Sequence, residues 1–78
     1  MGTTKIDQSL DLRGVSCPLN YVKTKLKLEE LAAGQVLEII LSDGEPIVNV
    51  PRSAKDDGNE IMEVVRVNDY YKVLIRKM

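Results

Sequence analysis

Asp11-Leu12-Arg13-Gly14-Val15-Ser16-Cys17-Pro18-Leu19-Asn20 is the stretch from which the fold can be read. It joins an alternating apolar segment to the first strong helical pattern, and it holds the chain's single cysteine. Pro18 follows Cys17 directly. Proline is favoured at the first helical position, where its missing N–H has no intrahelical partner anyway. Ser16 or Cys17 therefore falls at the helix N-cap, with Cys17 facing the helix's positive end. That end carries about +0.5 of an elementary charge, which favours thiolate over thiol and lowers a cysteine's pKa. Gly14, just upstream, permits a tight backbone turn without a Cβ clash. The segment reads as strand, tight loop, thiol, helix.

Working outward, Ile6, Leu10 and Leu12 fall two or four apart, which predicts a half-buried strand over Lys5–Leu12. Met1–Thr4 reads as a flexible tail ahead of a single domain over residues 5–78. Downstream, the spacing predicts a helix from Pro18 to about Ala33, with Leu19, Val22, Leu26 and Ala33 on the inward face and Gly34 as its C-cap residue. Gln35–Leu41 is apolar on both sides of the pleat except at Glu38, which predicts a central strand ended by Ser42-Asp43-Gly44. Pro46 and Pro51 then bracket a short turn. A second helix is predicted from Pro51 to about Asp57, with Val50 and Ala54 inward and Gly58-Asn59 closing it. Glu60–Val67 and Tyr70–Lys77, joined by Asn68-Asp69, read as a hairpin. The order is β-α-β-α-β-β, with a right-handed parallel crossover in the first β-α-β unit. The predicted fold class is α/β: a two-layer sandwich in which two helices cover one face of a four-stranded mixed sheet.

On the first helix, Tyr21, Leu28 and Ala32 form a second stripe roughly opposite Leu19, Val22 and Leu26. Two readings stand. The stripe packs on the neighbouring helix or amounts to a few scattered exposed apolar groups, or it is a partner surface beside the thiol carried by Tyr21 and Leu28. Lys23, Lys25 and Lys27 lie between the stripes, as a solvated face or as a selector of acidic partners.

Composition removes several classes of function. With 78 residues, one cysteine and no histidine, an internal disulfide is impossible and a structural zinc site lacks ligands. The formal charge is -1 and the pI about 5.3, against the basic surface that nucleic-acid binding relies on. Phenylalanine and tryptophan, on which bases stack, are absent. No long apolar run suggests a leader or a membrane span. A lone free thiol fits a reducing, cytoplasmic setting.

Cys17 itself admits two readings: a small buried hydrophobe under a helix start, or an activated thiol. No histidine is available to pair with it, and Cys-x-x-Cys, P-loop and dinucleotide fingerprints are all absent. An activated lone thiol can carry a group as a thioester, mixed disulfide or persulfide, or it can sense oxidation. A free thiol of pKa about 8.5 is only a few per cent ionised at neutral pH. The helix terminus contributes about 0.3–1 kcal/mol and Arg13 adds a charge, lowering the pKa by about one unit.

Leu10-Asp11-Leu12-Arg13-Gly14, then Cys17-Pro18 at a helix start, then a closing strand Val73-Leu74-Ile75-Arg76-Lys77, together resemble the TusA/SirA-like sulfur-carrier family. The resemblance runs from about Lys5 to Lys77 and implies the same two-layer sandwich. It also implies that Cys17 accepts sulfane sulfur as a persulfide, without any cofactor. The donor would be a cysteine desulfurase or rhodanese-like protein. A partner protein would take the sulfur on, toward tRNA thiolation, cofactor synthesis or sulfur metabolism. Arg13, Gly14, Ser16 and Pro18 would support the thiol loop and helix start. The family motif is Cys-Pro-x-Pro, and here Asn20 stands in place of the second proline. Asn20 adds a backbone N–H and a side-chain amide near the thiol, to hydrogen-bond a persulfide anion or to change which partner docks. The rival reading is a noncatalytic interaction or regulatory module that uses the Tyr21/Leu28 stripe or the hairpin.

Overall fold

The computed structural model describes residues 6–16 and 19–78. Its elements are β1 (Gln8–Asp11), α1 (Leu19–Glu29), β2 (Val36–Ser42), α2 (Glu45–Asp56), β3 (Glu60–Val67) and β4 (Tyr70–Arg76). The predicted order is therefore the observed one. The tail expected at Met1–Thr4 lies outside the described residues.

The four strands form one sheet in the order β1-β2-β4-β3. β1 pairs parallel with β2, with Leu10 opposite Ile39 and Asp11 opposite Ile40. β2 pairs antiparallel with β4, and β4 with β3. Beyond the short β1, the ladder continues through Asp7 N–H to Val36 O (2.9 Å) and Leu12 N–H to Ile40 O (2.8 Å). Met62 is an extra residue between the pairs Ile61–Ile75 and Glu63–Leu74, a bulge that blunts the exposed edge strand β3.

Strand alternation assigns the two faces. Leu37, Ile39 and Leu41 point one way beside Ile75 and Val73, and all five are fully buried. Leu28, Leu31, Val50 and Ala54 from the helical segments join the same core, so both helices cover that face. Ser9, Asp11, Glu38, Ile40, Ser42, Tyr70, Lys72 and Leu74 fall on the opposite, uncovered face by register.

The structure corrects α1 in phase and in length. Its buried residues are Asn20, Thr24 and Leu28, while Leu19 (57% exposed), Val22 (44%) and Leu26 (56%) face solvent. The apolar stripe expected inside is outside. Two polar residues occupy the inner face, and their side-chain oxygens find local partners: Thr24 Oγ1 donates to Asn20 O (2.9 Å) and Asn20 Oδ1 accepts from Tyr21 N–H (2.7 Å). The helix ends at Glu29, not Ala33. Bonds of i to i−3 type tighten the chain at Glu30 and Leu31, and Lys77 Nζ donates to Leu28 O (2.8 Å). Ala33 is exposed beyond the end. Gly34 caps nothing: its N–H donates to Lys77 O, tying the loop to the end of β4.

α2 begins six residues earlier than expected, with Pro46 at its start and Pro51 inside it. An internal proline removes one helix bond and costs about 3 kcal/mol. The stripe of Ile47, Val50 and Ala54 offsets this, since Val50 and Ala54 are fully buried as the pattern predicted. In the β3–β4 hairpin, Asn68 takes a left-handed conformation (φ 54°) at the predicted two-residue link.

Candidate functional site

Cys17 and Pro18 lie outside the described residues; their frame is well defined on both sides. Upstream, Leu12 is buried at the end of the β1 ladder. A reverse turn then closes through Val15 N–H to Leu12 O (3.1 Å). Gly14 occupies its third position at φ 79°, the left-handed region that glycine enters without strain. Gly14 N–H donates to Ser42 Oγ (3.2 Å), anchoring the loop to the end of β2. Downstream, Asn20 N–H donates to Ser16 O (3.0 Å), the span of a helical turn. Ser16 thus holds the cap position. Ser16 and Leu19, the residues flanking the cysteine segment, are both exposed.

Arg13 is held from two directions. Asp11 Oδ1 accepts from Arg13 N–H (3.0 Å) and Nε (3.1 Å), and Asp11 Oδ2 accepts from Nη2 (2.9 Å). The guanidinium also lies over the Tyr70 ring, 4.8 Å from its centroid. These hydrogen bonds lower the Asp11 pKa and raise that of Arg13. The Arg13 charge is therefore engaged by Asp11 on the uncovered face of the sheet. Its contribution is to fix the turn. Tyr70 and Ser42 are parts of this frame that sequence reading missed. They sit opposite each other at the ends of β4 and β2, and only the strand register brings them to the turn.

Asn20 is completely buried. Its Oδ1 accepts from Tyr21 N–H, which holds the amide at the N-terminal turn of α1. Its Nδ2 is buried and has no hydrogen-bond partner among the described residues. An unsatisfied buried donor costs about 1–3 kcal/mol.

Of the readings of the Tyr21/Leu28 stripe, the structure supports packing against the neighbouring helix and the core. Leu28 is 3% exposed. Tyr21 is half-buried, and its hydroxyl reaches α2, donating to Ser53 O (3.3 Å) and to the Asp57 carboxylate. Burial, and then the Asp57 hydrogen bond, raise the Tyr21 pKa. The Tyr21/Leu28 stripe joins α1 to α2, so no partner can seat on Leu28 without opening the core. The exposed surface of α1 is instead Leu19, Val22 and Leu26. Lys23 and Lys25 are exposed alongside, Lys27 pairs with Glu30 (3.6 Å), and no acidic residue occurs between Leu19 and Leu28. A cleft of about 360 Å³ opens where α1 and the end of α2 meet the C-terminal end of the chain, and one of about 450 Å³ opens between the end of α2, the start of β3 and the end of β4; among the described residues, none from Asp11 to Asn20 lines either. Among the described residues, no helix is long and apolar enough to cross a membrane.

Fold and frame together define a class: a small β-α-β-α-β-β domain whose single cysteine lies, in sequence, two residues ahead of its first helix. A family profile described as "Sulfurtransferase TusA" matches residues 8–77, and the chain belongs to the TusA family. It is 42% identical over 73 residues to a putative sulfur carrier protein of Archaeoglobus fulgidus, covering 91% of this chain and 82% of that one. It is 37% identical over 71 residues to the sulfur carrier protein TusA of Allochromatium vinosum, covering 91% and 93%. Among solved structures, the SirA-like protein of Desulfitobacterium hafniense superposes with a TM-score of 0.77 at 25% identity, covering 88% and 95%.

Proposed function

We propose that this chain is a sulfur carrier whose Cys17 takes sulfane sulfur from one protein, holds it as a persulfide, and gives it to another. The observation that carries this reading is the exposed apolar stripe of Leu19, Val22 and Leu26, which starts two residues after Cys17. An enzyme acting alone on a small molecule needs a concave pocket at the reacting atom. A relay needs a surface that brings a partner's sulfur to its own. The lysines beside the stripe match a partner that presents apolar side chains rimmed by carboxylates. The names of the relatives point the same way.

In the first step the Cys17 thiolate attacks the outer sulfur of a donor persulfide, R–S–SH. A new S–S bond forms Cys17–S–SH. The donor's S–S bond breaks, and R–S⁻ leaves with the electron pair. In the second step an acceptor thiolate attacks the outer sulfur of Cys17–S–SH in the same way and releases the Cys17 thiolate. Neither step needs an external oxidant or reductant. Gly14, Ser16 and Arg13 hold the loop, Pro18 starts the helix, and the α1 terminus stabilises anionic sulfur. A cysteine desulfurase or rhodanese-like protein in the reducing cytoplasm fits as donor. The acceptor passes sulfur into tRNA thiolation, cofactor synthesis or sulfur metabolism.

The test compares two donors. Loading of Cys17 is followed by intact-protein mass spectrometry, from a persulfidated rhodanese-like protein and from inorganic polysulfide. Replacing Leu19, Val22 and Leu26 by Ser slows loading from the protein at least tenfold and leaves loading from polysulfide unchanged. Equal rates for both proteins with both donors contradict the docking role. Full cellular function in Cys17→Ser would move the chain to the class of noncatalytic interaction modules.

A further inference from the structure

We infer that α1 opens separately from the rest of the domain: it releases from α2 and β2 as one unit while the sheet and α2 stay folded, and the Tyr21 hydroxyl and Lys77 ammonium are the clasps that hold it shut. α1 has eleven residues, and those it buries are Asn20, Thr24 and Leu28. Leu28 is the only apolar side chain among them, while Leu19, Val22 and Leu26 face water. The second helix is tied in more widely. α2 packs on β2, β3 and β4 and encloses Val50 and Ala54, whereas α1 packs chiefly on α2 and β2. Burial holds an element in proportion to the apolar area it hides, and elements that hide little open before the rest.

Among the described residues, every hydrogen bond that crosses from α1 to the rest of the domain belongs to Tyr21 or Lys77. Near the N-terminal end of the helix, the Tyr21 hydroxyl reaches Ser53 O (3.3 Å) and the Asp57 carboxylate. Near the C-terminal end, Lys77 Nζ donates to Leu28 O (2.8 Å). Between the clasps the seam is unfilled: Tyr21, Leu28, Asp57 and Lys77 all line the cleft of about 360 Å³. Water therefore enters the seam before anything moves. Once free, a helix of eleven residues is shorter than the about 12–15 at which isolated helices become marginal in water, so its backbone bonds are lost together. Val50 and Ala54 of α2 remain in one core with Ile39, Val73 and Ile75, and that core outlasts the opening. The exposed stripe of Leu19, Val22 and Leu26 thus rides on an element that can shift against the sheet. This suits a carrier that docks on two proteins in turn; that consequence rests on the sulfur-carrier reading, and the opening itself does not.

The experiment is amide hydrogen exchange of the full chain without sulfur, read residue by residue by NMR, in wild type, Tyr21→Phe, Lys77→Met and Leu74→Ala. In wild type the amides of residues 23–29 are about a hundredfold or more less protected than the slowest amides of β2 and β4. Tyr21→Phe keeps the ring and Lys77→Met keeps the stem. Each speeds exchange across residues 23–29 about tenfold, the worth of a hydrogen bond to a charged group. Leu74 lies on the sheet face away from the helices and is intact whether α1 is closed or open. Leu74→Ala therefore speeds the slowest amides of β2 and β4 about tenfold and leaves residues 23–29 at the wild-type rate. Residues 23–29 as protected as β2 and β4, or sped by Leu74→Ala as much as the strands, would show that α1 leaves only when the whole domain unfolds and would overturn the separate opening. Wild-type rates over residues 23–29 in both Tyr21→Phe and Lys77→Met would overturn the clasps. No outcome depends on whether the chain takes up sulfur, so the carrier reading stands or falls apart from this one.

Discussion

Leu26 and Leu28 are two residues apart on the same helix, and their substitution by alanine separates the two orientations of α1. Leu28 is 3% exposed and belongs to the core. Leu28→Ala creates a cavity and costs about 3 kcal/mol, within the range for buried leucines. For a domain of this size each kcal/mol moves the melting midpoint by about 4–8 °C, so a fall of about 12 °C or more is expected. Leu26 is 56% exposed. Leu26→Ala removes no core contact and gains slightly in helix propensity, so its effect stays within about 0.5 kcal/mol. Thermal unfolding followed by circular dichroism reads both. Docking gives the second half of the prediction. Burying a whole Leu or Val side chain contributes about 1.5–3 kcal/mol. Leu19, Val22 and Leu26 retain 57, 44 and 56% of their exposure, which leaves about 1 kcal/mol each for a partner to cover. Replacing all three by Ser therefore weakens partner binding by about a hundredfold, without the melting loss of Leu28→Ala. A Leu26→Ala midpoint as low as that of Leu28→Ala would refute the reasoning, because the stripe would then be core.

Gly14→Ala meets no neighbouring atom but keeps φ 79°, so its cost is the left-handed backbone alone, about 1–2 kcal/mol by denaturant titration. Tyr21 has a raised pKa in the folded protein. Its hydrogen-bonded, protonated form contributes stability that is complete below the ordinary phenol value of 10.0 and declines as pH rises above it toward the raised folded value. Alkaline unfolding of Tyr21→Phe should lack that component. Asp11 has a lowered pKa, so its support of the Arg13 turn is present above the ordinary carboxylate range and is lost as pH falls through the depressed value. An NMR titration of the Asp11 carboxyl should show a midpoint below that of Asp11 in the Arg13→Gln variant.

Much of the architecture was legible because local signals agreed with the global fold. Period-two runs marked the strands, Asn68-Asp69 marked the hairpin, and Val36–Leu41 marked the central strand by being apolar on both faces. The phase of α1 was not legible. Its inner face is built from Asn20 and Thr24, whose side-chain oxygens bond to the helix's own backbone, while its outer face carries the hydrophobes. A reading that sends apolar residues inward turns such a helix over. The start of α2 was missed because proline normally stops a helix, and only the burial of Val50 and Ala54 explains why Pro51 is tolerated inside one. At the site, the turn could be read from Gly14. The Ser42 and Tyr70 contributions could not, since they arrive from other strands through pairing register. Asn20 was visible as a departure from the family motif. That its amide nitrogen is buried without a partner among the described residues emerged only from the packing.

The most direct test of the central claim is the intact mass of the protein after incubation with a persulfidated donor and removal of the donor. The account predicts a gain of one sulfur atom, mapped to Cys17, reversed by a thiol acceptor and missing from Cys17→Ser. An unchanged mass with every sulfane donor tried would contradict it.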